Sequence, residues 1–116
     1  MRGLIIKEKW ANMILDGTKT IEVRGSNTKI RETIAIIISG SKKVYGTVDL
    51  YDSKKLSLEK YNENRIKIGH SEKIDKLYYK NTHGWYMKNP KRFDEPIEYK
   101  HPMGAVIWVD LKDLIK

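Results

Sequence analysis

The chain has 116 residues, 40% hydrophobic and 33% charged, with a formal net charge of +8. That is the length of one globular domain, with apolar residues too clustered for a disordered chain. It contains no cysteine, which excludes disulfides, thiolate metal sites and a cysteine nucleophile.

In chain order, "GLIIK" (3–7) is a short β-branched run and predicts a first strand. "EKWANMILDG" changes period: Trp10, Met13 and Ile14 follow i, i+3, i+4, and Gly17 supplies a stop, so a helix is expected over 8–16. "KTIEVRG" (19–25) alternates, with Ile21 and Val23 on one face and Thr20, Glu22 and Arg24 on the other. "SNTK" (26–29) is rich in turn formers and offers backbone amides and hydroxyls to an anion. "TIAIIIS" (33–39) is nearly continuous β-branched sequence, the pattern of a strand buried on both faces. "VYGTVDLYD" (44–52) returns as its hairpin partner, with Gly46 marking a bulge. Two short surface helices are expected at 57–64 and 71–79, each opened by a serine cap. "GWYMK", "IEYK" and "GAVIWVDL" read as late strands joined by loops at Pro90, Pro96 and Pro102. This order has too few β/α alternations for a doubly wound sheet and predicts an α+β fold, a small mixed barrel with helices on one side.

No segment approaches the ~20 apolar residues of a membrane span. The apolar run in "MRGLIIKEKW" is too short for a signal peptide. A soluble, cytoplasmic protein with no membrane partner is expected.

The excess of 23 Lys+Arg over 15 Asp+Glu favours a polyanionic partner, since each phosphate neutralised releases condensed counterions. Lysine added for solubility produces the same balance. The five arginines, among them Arg24, are the more specific signal, because a planar fork matches phosphate and base edges. Residues 77–100 hold six of the eleven aromatics, interleaved with Lys80, Lys88, Lys91, Arg92 and Lys100. Aromatics beside cations suit stacked bases, although Trp85, Tyr86 and Phe93 also suit the core of late strands. His70, His83 and His101 lack metal-ligand spacing, so neither a metal nor another cofactor is expected. The phosphate-loop, dinucleotide and nucleophile-elbow motifs are all missing from the sequence. Binding chemistry, or catalysis from Lys, Glu, Ser, Thr and Tyr, is what remains.

"ILDGTKTIEVRGSNTK" (14–29) closely resembles the ASCH domain family pattern G-x-K-x-x-E-x-R, filled here by Gly17, Lys19, Glu22 and Arg24. The flanks resemble the family too: "GLIIKEKW" its first strand and helix start, "TIAIIISGSKKVYGTVDL" its barrel hairpin, and residues 83–111 the ending of a small single-domain branch. The resemblance implies one domain over 1–116, a PUA-like pseudobarrel of five to six strands with short helices packed on one side. It further implies an RNA-binding module, of a kind linked to translation and its regulation, with the charged motif lining a cleft for RNA or a modified nucleotide. Lys19, Glu22 and Arg24, with Ser26, Asn27 and Thr28 beside them, are the implied binding residues. EVE relatives hold a modified base in an aromatic pocket, which gives His83 and Trp85 a role. Some family members are enzymes, so the alternative is a metal-independent ribonuclease or N4-acylcytidine-type amidohydrolase with Lys19 as base and Glu22 as acid or orienting group. In that amidohydrolase branch a threonine nucleophile falls where this chain has Glu22, and the two are not interchangeable.

Two physical expectations stand beside the resemblance. Glu22 and Arg24 share a strand face at roughly 7 Å, so their pairing requires the chain to bend. Lys19, at the mouth of the helix-to-strand turn, is the best placed of the three to reach a phosphate. A protein partner on the 77–100 surface is a third reading.

Overall fold

The computed structural model describes residues 1–111. β1 (Arg2–Ile6) leads directly into α1 (Glu8–Asp16), whose end is set by Gly17 at φ 85° with its N–H donating to the Ile14 carbonyl. A residue without Cβ takes this left-handed geometry without strain. β2 (Ile21–Arg24), β3 (Glu32–Ile38) and β4 (Lys43–Lys55) follow, then α2 (Leu58–Glu63), α3 (Arg65–Ile68), the long β5 (His83–Glu98) and β6 (Trp108–Asp110). The six strands form one mixed sheet in the order β2-β5-β4-β3-β1-β6. β1 and β3 run parallel and every other neighbouring pair is antiparallel. The fold is α+β with a mixed six-stranded sheet, as expected, and the sheet of the expected barrel forms a half-barrel carrying a few short helices.

β3 is buried on both faces, as its unbroken apolar run predicts. Ile34, Ile36 and Ile38 enter one core cluster with Leu4, Ile14, Leu50 and Met87, while Ala35 and Ile37 enter a second with Val44 and Val109. Val44 and Val48 are four apart and would share a face of a regular strand. They instead serve different clusters, because the β4 register slips between Val44 and Gly46. A Cβ at Gly46 would lie 2.2 Å from the Lys91 carbonyl oxygen, so only glycine allows this bulge to close against β5.

Four expectations change. The strand predicted at 19–25 begins at Ile21. Residues 71–79 are irregular, and the second short helix lies earlier, at α3. Gly69, at φ 106°, ends α3, and the Asn62 side chain then takes both backbone groups of Ile74, accepting from its N–H at 2.9 Å and donating to its carbonyl at 3.0 Å. Those groups are lost to a helical ladder. The Ser57 cap does form, accepting from the Lys60 N–H, whereas Ser71 opens no helix. Pro90 and Pro96 sit inside β5, not in loops, at interruptions of its pairing with β4. A residue with no N–H donor is tolerated where the ladder is already broken. Finally, only Trp108–Asp110 of the expected strand "GAVIWVDL" pairs, against β1.

Candidate functional site

The turn after α1 is pinned from three sides. The Lys19 N–H donates to the Met13 carbonyl, the Thr20 N–H to the Lys67 carbonyl, and the Met87 N–H to the Thr20 carbonyl. The turn therefore sends the Lys19 side chain inward, where it is only 3% exposed. Its Nζ donates to the Ile68 carbonyl at 2.5 Å and the Ile21 carbonyl at 2.8 Å, and lies 3.4 Å from Glu22 Oε1. An ammonium has three donors, and these three oxygens account for them. Lys19 is thus an anchor between β2 and the end of α3 and not a solvated lysine at the mouth of the turn.

The other Glu22 oxygen accepts from Arg24 Nε at 2.8 Å. β2 stays in regular register with β5 over all four residues, so the chain does not bend to allow this pairing. The long arginine side chain folds back along its own strand face instead. Arg24 also donates to the Ile5 carbonyl at 3.3 Å and lies over the Trp85 ring, 5.5 Å from its centroid. A buried carboxylate held between two cations is fixed in place, because each oxygen has a charge-assisted partner. Arg24 retains N–H donors beyond those two bonds.

The three residues share one side of a cleft of about 700 Å³. Its other walls are aromatic and basic: Trp10, Tyr61, His70, Tyr78 and Tyr79, with Lys7 and Lys76. Trp10 and His70 stack at 5.6 Å with planes 24° apart, and Lys19 Nζ lies 5.0 Å from the Trp10 ring. Gly69 makes this wall possible, since a Cβ there would meet the Trp10 ring at 2.9 Å. Burial lowers the Lys19 pKa below its usual value, with Glu22 opposing the shift and Arg24 adding to it. The His70 pKa is lowered as well, first by burial and then by Lys19 and Lys9. Glu22 is the one acidic residue lining the cleft among the described residues.

A sequence model of the ASCH domain family matches residues 4–97, which include the whole Lys19–Glu22–Arg24 arrangement. The chain belongs to the ASCH domain family. Its fold is also similar to the crystal structure of an ASCH protein from Zymomonas mobilis, with TM-score 0.68 and 16% identity over 84% of this chain and 72% of that one. Two mutant forms of the Zymomonas mobilis protein give TM-scores of 0.65 and 0.63. They are 15% and 14% identical, covering 84% and 97% of this chain and 74% and 88% of theirs. At such identities the likeness is one of fold alone. No curated protein matches the sequence.

In this ASCH domain the remaining sequence-selected residues lie outside the cleft lining. The Ser26 carbonyl accepts from the Trp85 indole at 3.0 Å. Asn27 Oδ1 accepts from the Thr28 N–H, the Thr28 carbonyl accepts from Arg31, and the single Ser53 hydroxyl proton is shared between Asn27 Oδ1 and the Thr28 carbonyl. This turn is a latch onto β4, with these polar groups already used within the protein. Trp85 is 2% exposed and stacks on Trp108 at 5.8 Å, so it supports Arg24 from beneath and offers no open face. His83 pairs across from Arg24 on β5, and its Nδ1 is buried without a hydrogen-bond partner.

Trp10, Tyr61 and His70, and the Ile68 carbonyl that holds Lys19, were not expected at the site. Trp10 carried the helix-face spacing of a core residue, and it is indeed half buried against the core. A carbonyl acting 49 residues away from its lysine leaves no mark in residue type. Among the described residues no three His, Asp or Glu side chains group as a metal-binding set, and no helix is long and apolar enough to cross a membrane.

Proposed function

We propose that this ASCH domain binds single-stranded RNA and holds one nucleotide, modified or not, in the cleft beside Lys19, Glu22 and Arg24. The observation that carries the reading is the buried carboxylate of Glu22, fixed between two cations in an aromatic-walled cleft. Each part has a counterpart in a nucleotide. Glu22 is an acceptor for a base N–H or a ribose hydroxyl, Trp10 is a face for stacking, and the remaining Arg24 donors with Lys7 suit phosphate. The cleft volume falls within the range of sites that enclose small ligands. The net charge of +8 supports a polyanion, with phosphate contacts reported by a fall in affinity as salt rises.

The test is a titration of short RNAs by wild type and Arg24→Ala at several salt concentrations, with circular dichroism to confirm folding. The expected result is salt-dependent binding in wild type and a loss of ~10-fold or more in the variant, the scale of one charge-assisted contact. Wild type showing no RNA affinity at low salt refutes the reading.

One observation favours the alternative of a hydrolase acting on RNA or a modified nucleoside: burial moves the Lys19 pKa in the direction a general base requires. Against it, the three oxygens around Nζ stabilise the proton that a base must lack. Mass spectrometry after incubation with short RNAs and N4-acylated cytidines separates the two. Recovery of unchanged substrate supports binding alone, and product formation by wild type that is lost in a Glu22→Gln variant still folded by circular dichroism establishes catalysis.

A further inference from the structure

The irregular segment 71–82 forms one rim of the cleft and carries an aromatic that the fold itself does not need. Tyr78 is 90% exposed although it lines the cleft. The segment around it is anchored. Asn62 clamps Ile74, Leu77 packs on the small cluster of Ile21, Leu56 and Tyr61, and the buried Thr82 hydroxyl donates to the Tyr79 carbonyl at 2.9 Å. Tyr79 sits so closely on Gly25 that a Cβ there would approach the ring to 2.8 Å. Tyr78 in turn meets Tyr79 edge to face, with centroids 5.1 Å apart. The outermost ring is therefore held at the cleft mouth by a fixed ring beneath it. The cation contributed to the cleft by this segment is Lys76, two residues before Tyr78.

A large aromatic held in solvent, beside a lysine and at the edge of a polar cleft, matches the arrangement on which single-stranded nucleic acids stack. Inside the cleft the aromatic wall is Trp10 on α1 with His70 just past the end of α3; Tyr78 belongs to a different segment of the rim. We infer that Tyr78 and Lys76 form a second subsite, which stacks the base and holds the phosphate of the nucleotide adjoining the one in the cleft. The ligand class is then an oligonucleotide and not a free nucleoside. The inference rests on the cleft being the primary nucleotide site.

The experiment compares binding of the four ribonucleoside 5′-monophosphates with that of random-sequence heptaribonucleotides to wild type, Tyr78→Ala, Tyr78→Phe and Arg24→Ala. The exposure of Tyr78 makes Tyr78→Ala a variant that keeps its fold. Tyr78→Ala is expected to weaken the heptamers by ~10-fold, the scale of one lost base-stacking contact, and the monophosphates by much less. Tyr78→Phe should retain heptamer affinity, since stacking uses the ring and not the hydroxyl. Heptamer binding that ignores Tyr78→Ala but falls in Arg24→Ala overturns the subsite and leaves the cleft standing. Heptamer binding that falls in Tyr78→Ala but ignores Arg24→Ala overturns the cleft as primary site, and with it the subsite as an extension of that cleft. An equal loss for monophosphates and heptamers in Tyr78→Ala overturns the division into two subsites.

Discussion

Glu22→Gln keeps the shape of the side chain and removes the charge that Lys19 and Arg24 share. Lys19 is 3% exposed and Glu22 6%, so the variant leaves a buried ammonium with two carbonyl partners and no counter-charge. Removing one partner of a buried ion pair typically costs about 3–5 kcal/mol. The lower end applies here, because the carbonyls of Ile21 and Ile68 remain and Arg24 is partly open to water. With a urea dependence of about 1–3 kcal/mol/M, a loss of about 3 kcal/mol lowers the unfolding midpoint by roughly 1–3 M. The pH dependence has a definite sign. The folded pKa of Lys19 already lies below its ordinary value of 10.5, and losing Glu22 removes an influence that raises it. The charged lysine costs most below its folded pKa, and that cost is relieved as pH rises through this value towards 10.5. The deficit of Glu22→Gln relative to wild type should therefore shrink in alkaline solution. A companion double variant, Glu22→Gln with Lys19→Met, removes the orphaned charge and should recover part of the loss. Urea unfolding of the three proteins at neutral and alkaline pH is the assay. A Glu22→Gln midpoint indistinguishable from wild type at neutral pH would refute the reasoning.

His70, whose folded pKa lies below 6.5, favours its neutral form in the folded state. Its contribution is fully present above 6.5 and lost as pH falls below that value, so His70→Gln should flatten the acid side of the stability profile measured by urea unfolding. Gly46→Ala drives a Cβ to 2.2 Å from a backbone oxygen and 2.8 Å from Leu15. It should cost about 3 kcal/mol or more, against about 1–2 kcal/mol for Gly40→Ala, which meets open space and pays only for φ +83°, as thermal unfolding will show. Asn62→Ala leaves Ile74 without the amide that clamps it. Amide hydrogen exchange should rise through 71–82 by more than in β3 if that clamp orders the rim.

Elements made by local rules could be read from the sequence. The i, i+3, i+4 spacing of Trp10, Met13 and Ile14 with Gly17 behind it gave α1 its bounds, and unbroken β-branching in β3 put alternate residues into two core clusters. Where a side chain decides the backbone, propensity failed. Ser71 and the residues after it suit a helix, but Asn62 occupies Ile74 from twelve positions away. Prolines that ordinarily end strands lie within β5, because its pairing with β4 is interrupted at those points.

The same division holds at the site. Lys19, Glu22 and Arg24 are local, so their spacing is visible in the sequence, but what each does depends on partners the spacing does not contain. The Ile68 carbonyl and the pinned turn draw Lys19 inward, and the straight course of β2 means that side-chain reach, not a bend, joins Arg24 to Glu22. Lys19 thereby changes from the residue expected to touch phosphate into the one that holds Glu22. Arg24, with N–H donors left over, is the more exposed of the two cations. The aromatic wall changes hands in the same way. Trp85, the aromatic chosen from the late strands, is the support beneath Arg24, and the faces that reach the cleft belong to Trp10 from α1 and to Tyr78 and Tyr79 from the irregular rim. A site assembled at the meeting of a helix end, a strand and a clamped loop draws its chemistry from residues distant in the chain. Its charged motif is legible in the sequence, and the rest of the cleft lining is not.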